Sequence, residues 1–178
     1  DALGVLIPAR WENYKQYLIQ DKLDNIIEAK FIKSSGGFVA VDTRHMASGI
    51  LGNKLTANEL ADLGYGVTLL AEGEGTLNID AELHNQGLWE FKVLKSSRRV
   101  AIERAIKDAR QKADNVLIRI PEKPDANELS LAVYNWNKYD KKNKVKQIII
   151  LANKKVLRIN KSEVASGRAR QLIEDTFK

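Results

Sequence analysis

A stretch of helical period, Arg98 to Lys112, stands between two strand-like runs, Leu88 to Leu94 and Asn115 to Ile120, and this ordering constrains the fold more than any other feature of the chain. Val100, Ile102, Ala105, Ile106, Ala109 and Ala113 recur mostly at three- and four-residue steps, which places an apolar stripe along one side of a helix. Two short strands joined by a helix lie parallel in one sheet, because a hairpin needs only a few linking residues whereas a parallel pair needs a crossover of roughly a dozen or more. Asn115 to Ile120 is a nearly continuous apolar run that stops at Pro121, as expected of a buried parallel strand.

The segments upstream extend this pattern. A helix is expected over residues 55–63, with Thr56 as its N-cap and Gly64 just past its end, and it carries Glu59. Gly66 to Leu70, Leu77 to Leu83 and Leu88 to Leu94 read as three strands, separated by the Glu/Gly-rich turn 72–75 and by Asn85-Gln86-Gly87. Neither linker is long enough for a crossover, so the three strands are expected to form an antiparallel meander. The central order is therefore α-β-β-β-α-β. Residues 11–33 show apolar residues at largely helical steps, which gives an N-terminal helical segment over 1–35, ended by Gly36-Gly37 and followed by a short strand at Phe38 to Val41. Beyond Pro121 the pattern predicts a helix over 127–139, strands over 145–151 and 154–159 joined by Asn153-Lys154, and a terminal helix over 162–176. The fold class is α/β with a mixed sheet, and residues 36–178 form its main domain.

Composition narrows the range of functions. A chain of 178 residues can close one sizeable core, and no run of apolar residues is long enough to span a bilayer. With no cysteine, disulfides, thiolate metal sites and thiol redox chemistry are excluded. The net charge of +6 favours a polyanionic partner, since lysine and arginine neutralise phosphates and release counterions. The sequence begins at Asp1 without a methionine or a signal peptide, and a piece of a longer protein is expected.

The residues that suggest chemistry sit on the central strands. In Trp89-Glu90-Phe91-Lys92, Glu90 and Lys92 are two apart and project from one face while Trp89 and Phe91 take the other. Asp80, on the preceding strand, is placed to join them across the hairpin. Two convergent carboxylates repel unless a cation lies between them, and Mg²⁺ accepts one or two carboxylates together with water and phosphate oxygens. Asp80 and Glu90 are thus candidate metal ligands, with Mg²⁺ favoured and Mn²⁺ or Zn²⁺ as alternatives. Lys92 is a candidate to orient an attacking water or to neutralise charge developing at phosphorus. An isolated Glu-x-Lys is also common on an ordinary exposed strand; the element order around it is what raises its significance.

That order, with Asp80 followed by Glu90-Phe91-Lys92, resembles the PD-(D/E)xK nuclease superfamily over roughly residues 54 to 120, and the resemblance implies a restriction-endonuclease-like core. It places Glu59 where many members hold a further carboxylate and Gln111 on a helix that sometimes lends a Gln or Lys to the site. The family's proline before the aspartate is Ile79 here. In wording, Gly36-Gly37-Phe38-Val39-Ala40-Val41, Leu63-Gly64-Tyr65-Gly66-Val67, and Trp89-Glu90-Phe91-Lys92 followed by Ala113-Asp114-Asn115-Val116-Leu117-Ile118 are similar to the C-terminal nuclease domains of bacterial polymorphic toxins, including the contact-dependent growth inhibition tRNases. This second resemblance implies release from a larger secreted or cell-surface protein, action in the cytoplasm of a competing bacterium on tRNA or DNA, with tRNA favoured, and neutralisation by a cognate immunity protein.

Other residues offer alternatives. Arg98 and Arg99, near the end of the catalytic strand, are candidate substrate contacts at the start of a helix that also carries Arg104, Lys107, Arg110 and Lys112. His45 suits general acid-base work in a metal-independent ribonuclease that would use the 2′-hydroxyl as nucleophile. His84 reads as a hairpin residue. The run from Lys138 to Lys144 reads as either a solvated loop or a nucleic-acid contact, and the basic helix with Trp136 or Tyr139 for stacking also suits a non-catalytic nucleic-acid-binding module.

Overall fold

The computed structural model describes residues 25–45, 49–72 and 78–178. They fold as a mixed α/β chain in the order β1 (Ile26–Ile32), β2 (Gly37–Asp42), α1 (Ile50–Asp62), β3 (Gly66–Leu69), β4 (Ala81–Leu83), β5 (Gly87–Val93), α2 (Arg99–Ala109), β6 (Asn115–Ile120), α3 (Ala126–Tyr139), β7 (Gln147–Ala152), β8 (Lys155–Asn160), α4 (Lys161–Ala165) and α5 (Arg168–Phe177). They divide into two compact units, one drawn from the chain up to Glu74 with Glu82–Gly87, the other from Gly75–Ala81 and Leu88–Lys178.

In the second unit α2 is the expected crossover: β5 and β6 are parallel, with Glu90 beside Val116 and Lys92 beside Ile118. β6 is in turn parallel to β7, and β8 returns antiparallel to β7. Asn153 and Lys154, which join β7 to β8, both take positive φ, the conformation that a two-residue hairpin of matching twist demands. Partners in adjacent strands share a face. Val116, Ile118, Ile148 and Ile150 therefore lie on one side, and they form a single core with Ile102 and Ile106 of α2, Leu129 and Trp136 of α3, and Ile173 and Phe177 of α5. The alternate residues Trp89, Phe91, Leu117, Ile149 and Leu151 are buried as well, which explains the continuous apolar runs of β6 and β7. The expected single terminal helix is broken in two. Gly167, at φ 78°, lies between α4 and α5, and Asn160 starts α4 with a reciprocal capping box to Glu163.

In the first unit β1 is antiparallel to β2, and β2 is parallel to β3 through α1. The helix expected over 11–33 is corrected by β1, a strand over Ile26–Ile32; the rest of that expectation lies outside the described residues. The spacing Ile26-Ile27-Glu28-Ala29-Lys30-Phe31-Ile32 fits either period, and the β-branched residues and the turn at Ser35-Gly36 resolve it toward a strand. Ile26, Ala29 and Phe31 pack against Phe38 and Ala40 of β2.

α1 starts earlier than expected, after Gly49, so Thr56 is not its N-cap; Thr56 is buried in mid-helix, its hydroxyl donating to the Gly52 carbonyl at 2.7 Å. Gly64 does end the helix. It lies at φ 94°, and the amides of Gly64 and Tyr65 bond back to the carbonyls of Ala61 and Leu60, the pairing of a Schellman motif. This end of α1 also accounts for Gly37. A methyl group there would collide with the Ala61 carbonyl, so β2 approaches the helix more closely than any side chain allows. Replacing Gly37 with alanine is expected to destabilise the protein by about 2–3 kcal/mol through overpacking against rigid backbone. In a thermal melt that corresponds to a midpoint lowered by roughly 5–10 °C for a chain of this size.

Candidate active site

Glu90 is the least ordinary residue of β5. It is only 1% exposed, because its strand position lies on the face that α2 covers. Its Oε1 accepts from Lys92 Nζ at 2.9 Å and faces Lys112 Nζ at 3.3 Å. Its Oε2 is equally buried and has no hydrogen-bond partner among the described residues. A carboxylate oxygen held out of water in this way costs about 1–3 kcal/mol unless something satisfies it.

Asp80 is brought to the same place. It is 9% exposed, and its Oδ2 accepts from the amide of Phe91, the peptide unit that directly follows Glu90, at 2.8 Å. This bond also explains why β4 begins only at Ala81, later than the strand expected from Leu77. The aspartate side chain takes the β5 amide that a main-chain carbonyl would otherwise accept.

Lys112 was visible in the sequence only as part of a basic helix. In the structure it lies beyond the end of α2, in the turn before β6. Because β5 and β6 are parallel, that turn arrives beside Glu90, which pairs with Val116. The signal available was the crossover itself, since the residue just before a parallel strand stands near the start of its neighbour. Two ammonium groups thus face one oxygen of Glu90.

Gln111, next to Lys112, is exposed. Glu59 is on α1 in the first unit. Arg98 and Arg99 are at the opposite end of α2 from Lys112, about 16 Å away by the rise of an eleven-residue helix. The Arg99 side chain faces Glu103 at 3.6 Å, and its amide donates to Glu128.

His45 is 2% exposed with both ring nitrogens engaged. Nδ1 lies 2.6 Å from the Leu70 carbonyl, which can only accept, so Nδ1 carries the proton and Nε2 receives the Asn53 amide at 3.3 Å. A histidine so held fastens a turn and has no nitrogen left for substrate. Beside it, burial pushes the Asp42 carboxyl up, but the Arg44 guanidinium and amide outweigh burial and hold it below its ordinary value. His84 packs its ring 5.8 Å from that of Phe38.

The run Lys138–Lys144 is pinned by Asp140, which is 4% exposed. Its oxygens accept from the amides of Lys144 and Val145 at 3.0 and 2.9 Å, and Lys161 Nζ lies at 3.3 Å. Burial raises the Asp140 carboxyl, but the Val145 and Lys144 amides and Lys161 lower it more, leaving it below the ordinary 3.8.

Among the described residues no group of three His, Cys, Asp or Glu stands together. A divalent ion would be held by Asp80 and Glu90 with water and phosphate completing the shell, a donor set within the habit of Mg²⁺. The orphaned Glu90 Oε2 fits that role.

The sequence matches no family model and no curated protein. Among solved structures, the chain is similar to one from a CdiA-CT/CdiI toxin and immunity complex of Burkholderia pseudomallei, at 15% identity and a TM-score of 0.48, over 63% of this chain and 84% of that one.

A stability measurement follows from Asp140. Its pKa is lower folded than unfolded, so its contribution is complete above the unfolded value and is lost as pH falls through about 4 toward the folded value. Asp140→Asn is expected to lose about 2–3 kcal/mol at pH 7, because an amide nitrogen would face a backbone donor. In urea melts the gap from wild type should be constant from pH 6 to 8 and narrow below about pH 4.

Proposed function

We propose that the chain is a metal-dependent endonuclease toxin domain that hydrolyses phosphodiester bonds of nucleic acid, with tRNA favoured over DNA. The observation that carries this reading is the buried Glu90 carboxylate, one oxygen held by two lysines and the other without a partner among the described residues, with Asp80 fixed at the adjacent peptide. A purely structural ion pair has no use for an unsatisfied buried oxygen. The alternation of Asp80, Glu90 and Lys92, with its resemblance to the PD-(D/E)xK nucleases and their restriction-endonuclease-like core, supports the same chemistry.

Each residue then has a task. Asp80 and Glu90 would hold the ion, Asp80 being oriented by the Phe91 amide. When bound, Mg²⁺ supplies an acidified water and withdraws charge from a phosphoryl oxygen. Lys92, aligned by Glu90, donates toward the oxygen that gains charge at phosphorus. Lys112 pairs with Glu90 in its buried setting and is half exposed, so it can also face the substrate.

The likeness in wording to polymorphic toxin domains extends the reading to biology. On it, the domain is carried by a larger secreted or cell-surface protein, acts in the cytoplasm of a competing bacterium and is silenced by an immunity protein. Among the described residues no helix is long and apolar enough to cross a membrane.

The test is cleavage of total tRNA and of plasmid DNA by wild type, Asp80→Ala and Lys92→Met, with Mg²⁺, Mn²⁺, Zn²⁺ or EDTA. Each substitution is expected to lower the rate at least about 100-fold, and EDTA to abolish it. Equal cleavage by wild type and Asp80→Ala, with both proteins folded by circular dichroism, would sink the assignment.

A further inference from the structure

We infer that an unpaired stretch of polynucleotide runs along a basic groove that starts at Lys112 and passes between α2 and α3 to the turn at 140–144. This deepens the nuclease reading and rests on it for the identity of the polymer.

Lys112 touches Glu90, and Arg110, two residues earlier, lines two neighbouring hollows. The larger, about 640 Å³, lies between α2 and α3, with Arg104, Lys107 and Trp136 in its walls. The smaller, about 400 Å³, is closed by Lys141, Lys142 and Lys144. Arg110, Tyr139 and Asp140 belong to both, so the two adjoin.

The charge of this groove is available to a ligand. Of its acidic residues, Asp140 is spent on the Lys144 and Val145 amides and on Lys161, Glu103 accepts from Asn135 and faces Arg99, and Asp108 is exposed; Arg104, Lys107, Arg110, Lys141, Lys142 and Lys144 outnumber them. Lys141, Lys142 and Lys144 are all exposed. They project from a turn that Asp140 fixes from within and that Asn143 helps close with φ at 48°, so the cost of ordering a flexible loop has already been met by folding. A solvated loop needs no such internal brace.

Tyr139 distinguishes a single strand from a duplex. It is 60% exposed in the middle of the cationic residues, and an exposed ring can stack on a base only if that base is unpaired. A protein partner of acidic surface would use the charges but would gain nothing particular from flat stacking. Arg98 and Arg99, at the far end of α2, do not line either hollow.

The experiment measures binding, not cleavage. A fluorescein-labelled twelve-nucleotide oligouridylate, and a duplex RNA of equal length, are titrated in EDTA with the full chain carrying Asp80→Ala, alone or combined with Lys141→Ala/Lys142→Ala/Lys144→Ala, Tyr139→Ala or Tyr139→Phe. Expected are tighter binding of the single strand, at least tenfold weaker binding by the triple-lysine variant, and a salt dependence shallower by about two units of slope. Tyr139→Ala should weaken single-strand binding about tenfold while Tyr139→Phe stays within twofold. Thermal midpoints equal to that of the parent show that each variant is folded. Unchanged affinity and salt slope in the triple-lysine variant overturn the proposal, as does absence of binding to either RNA, which would leave the face to an acidic protein. The two readings separate cleanly. If Asp80→Ala cleaves like wild type but the groove variants lose binding, the nuclease reading fails and the groove stands; if Asp80→Ala abolishes cleavage and the groove variants bind normally, the reverse holds.

Discussion

A carboxylate with 1% of its surface exposed, on a strand whose neighbours Trp89 and Phe91 are also buried, sets the terms for the second unit of this protein. Leaving the Glu90 charge unpaired in such a place would cost about 3–5 kcal/mol, a large part of the stability of a whole domain. The fold meets this demand from two directions. Lys92 comes from the same strand and the same face, and Lys112 comes from the far side of a crossover. Only one oxygen is served by them, and the remaining one gives the site its chemical interest.

The arrangement depends on topology as much as on local sequence. Parallel pairing of β5 with β6 puts the turn before β6 beside Glu90, and α2 must have the length it has for Lys112 to arrive there. The apolar stripe of α2 that covers Val116 and Ile118 is the same stripe that keeps water from Glu90's side of the sheet. Asp140 plays a comparable part at the end of α3. By collecting two amides and Lys161, which also lies 4.9 Å over the Trp136 ring, it turns a lysine-rich loop into a fixed surface. Core packing and site geometry are consequently one problem, and changes to Glu90 or Asp140 are expected to register in both.

Much of this was legible in the residues. The helical period after Lys95 and the apolar run at 115–120 predict the parallel pair, and Asn153-Lys154 predicts the hairpin, because both rest on strong local rules. Residues 26–32 were misread because a short apolar run fits a helix and a strand equally well, and its partner β2 decides between them. Thr56 has the chemistry of a cap but lies buried in mid-helix, where its hydroxyl bonds the preceding turn. At the site, the i, i+2 spacing of Glu90 and Lys92 could be read from the strand alone, and it says nothing of burial. Lys112 was hidden because its neighbour in space is 22 positions away in sequence by the numbering of the pair. His45 had the right chemistry for catalysis, and only the Leu70 carbonyl and Asn53 show that its nitrogens are committed.

The central claim is that the buried Glu90 carboxylate, with Asp80, is built to receive a divalent ion and not merely to pair with lysine. Titration of Mn²⁺ into wild type, Asp80→Asn and Glu90→Gln, followed by the loss of the free-ion electron paramagnetic resonance signal, addresses it without any substrate. One bound ion per wild-type chain, with affinity reduced at least about tenfold in each folded variant, is the result the account predicts. Equal Mn²⁺ binding by all three proteins, or none by wild type, would contradict it.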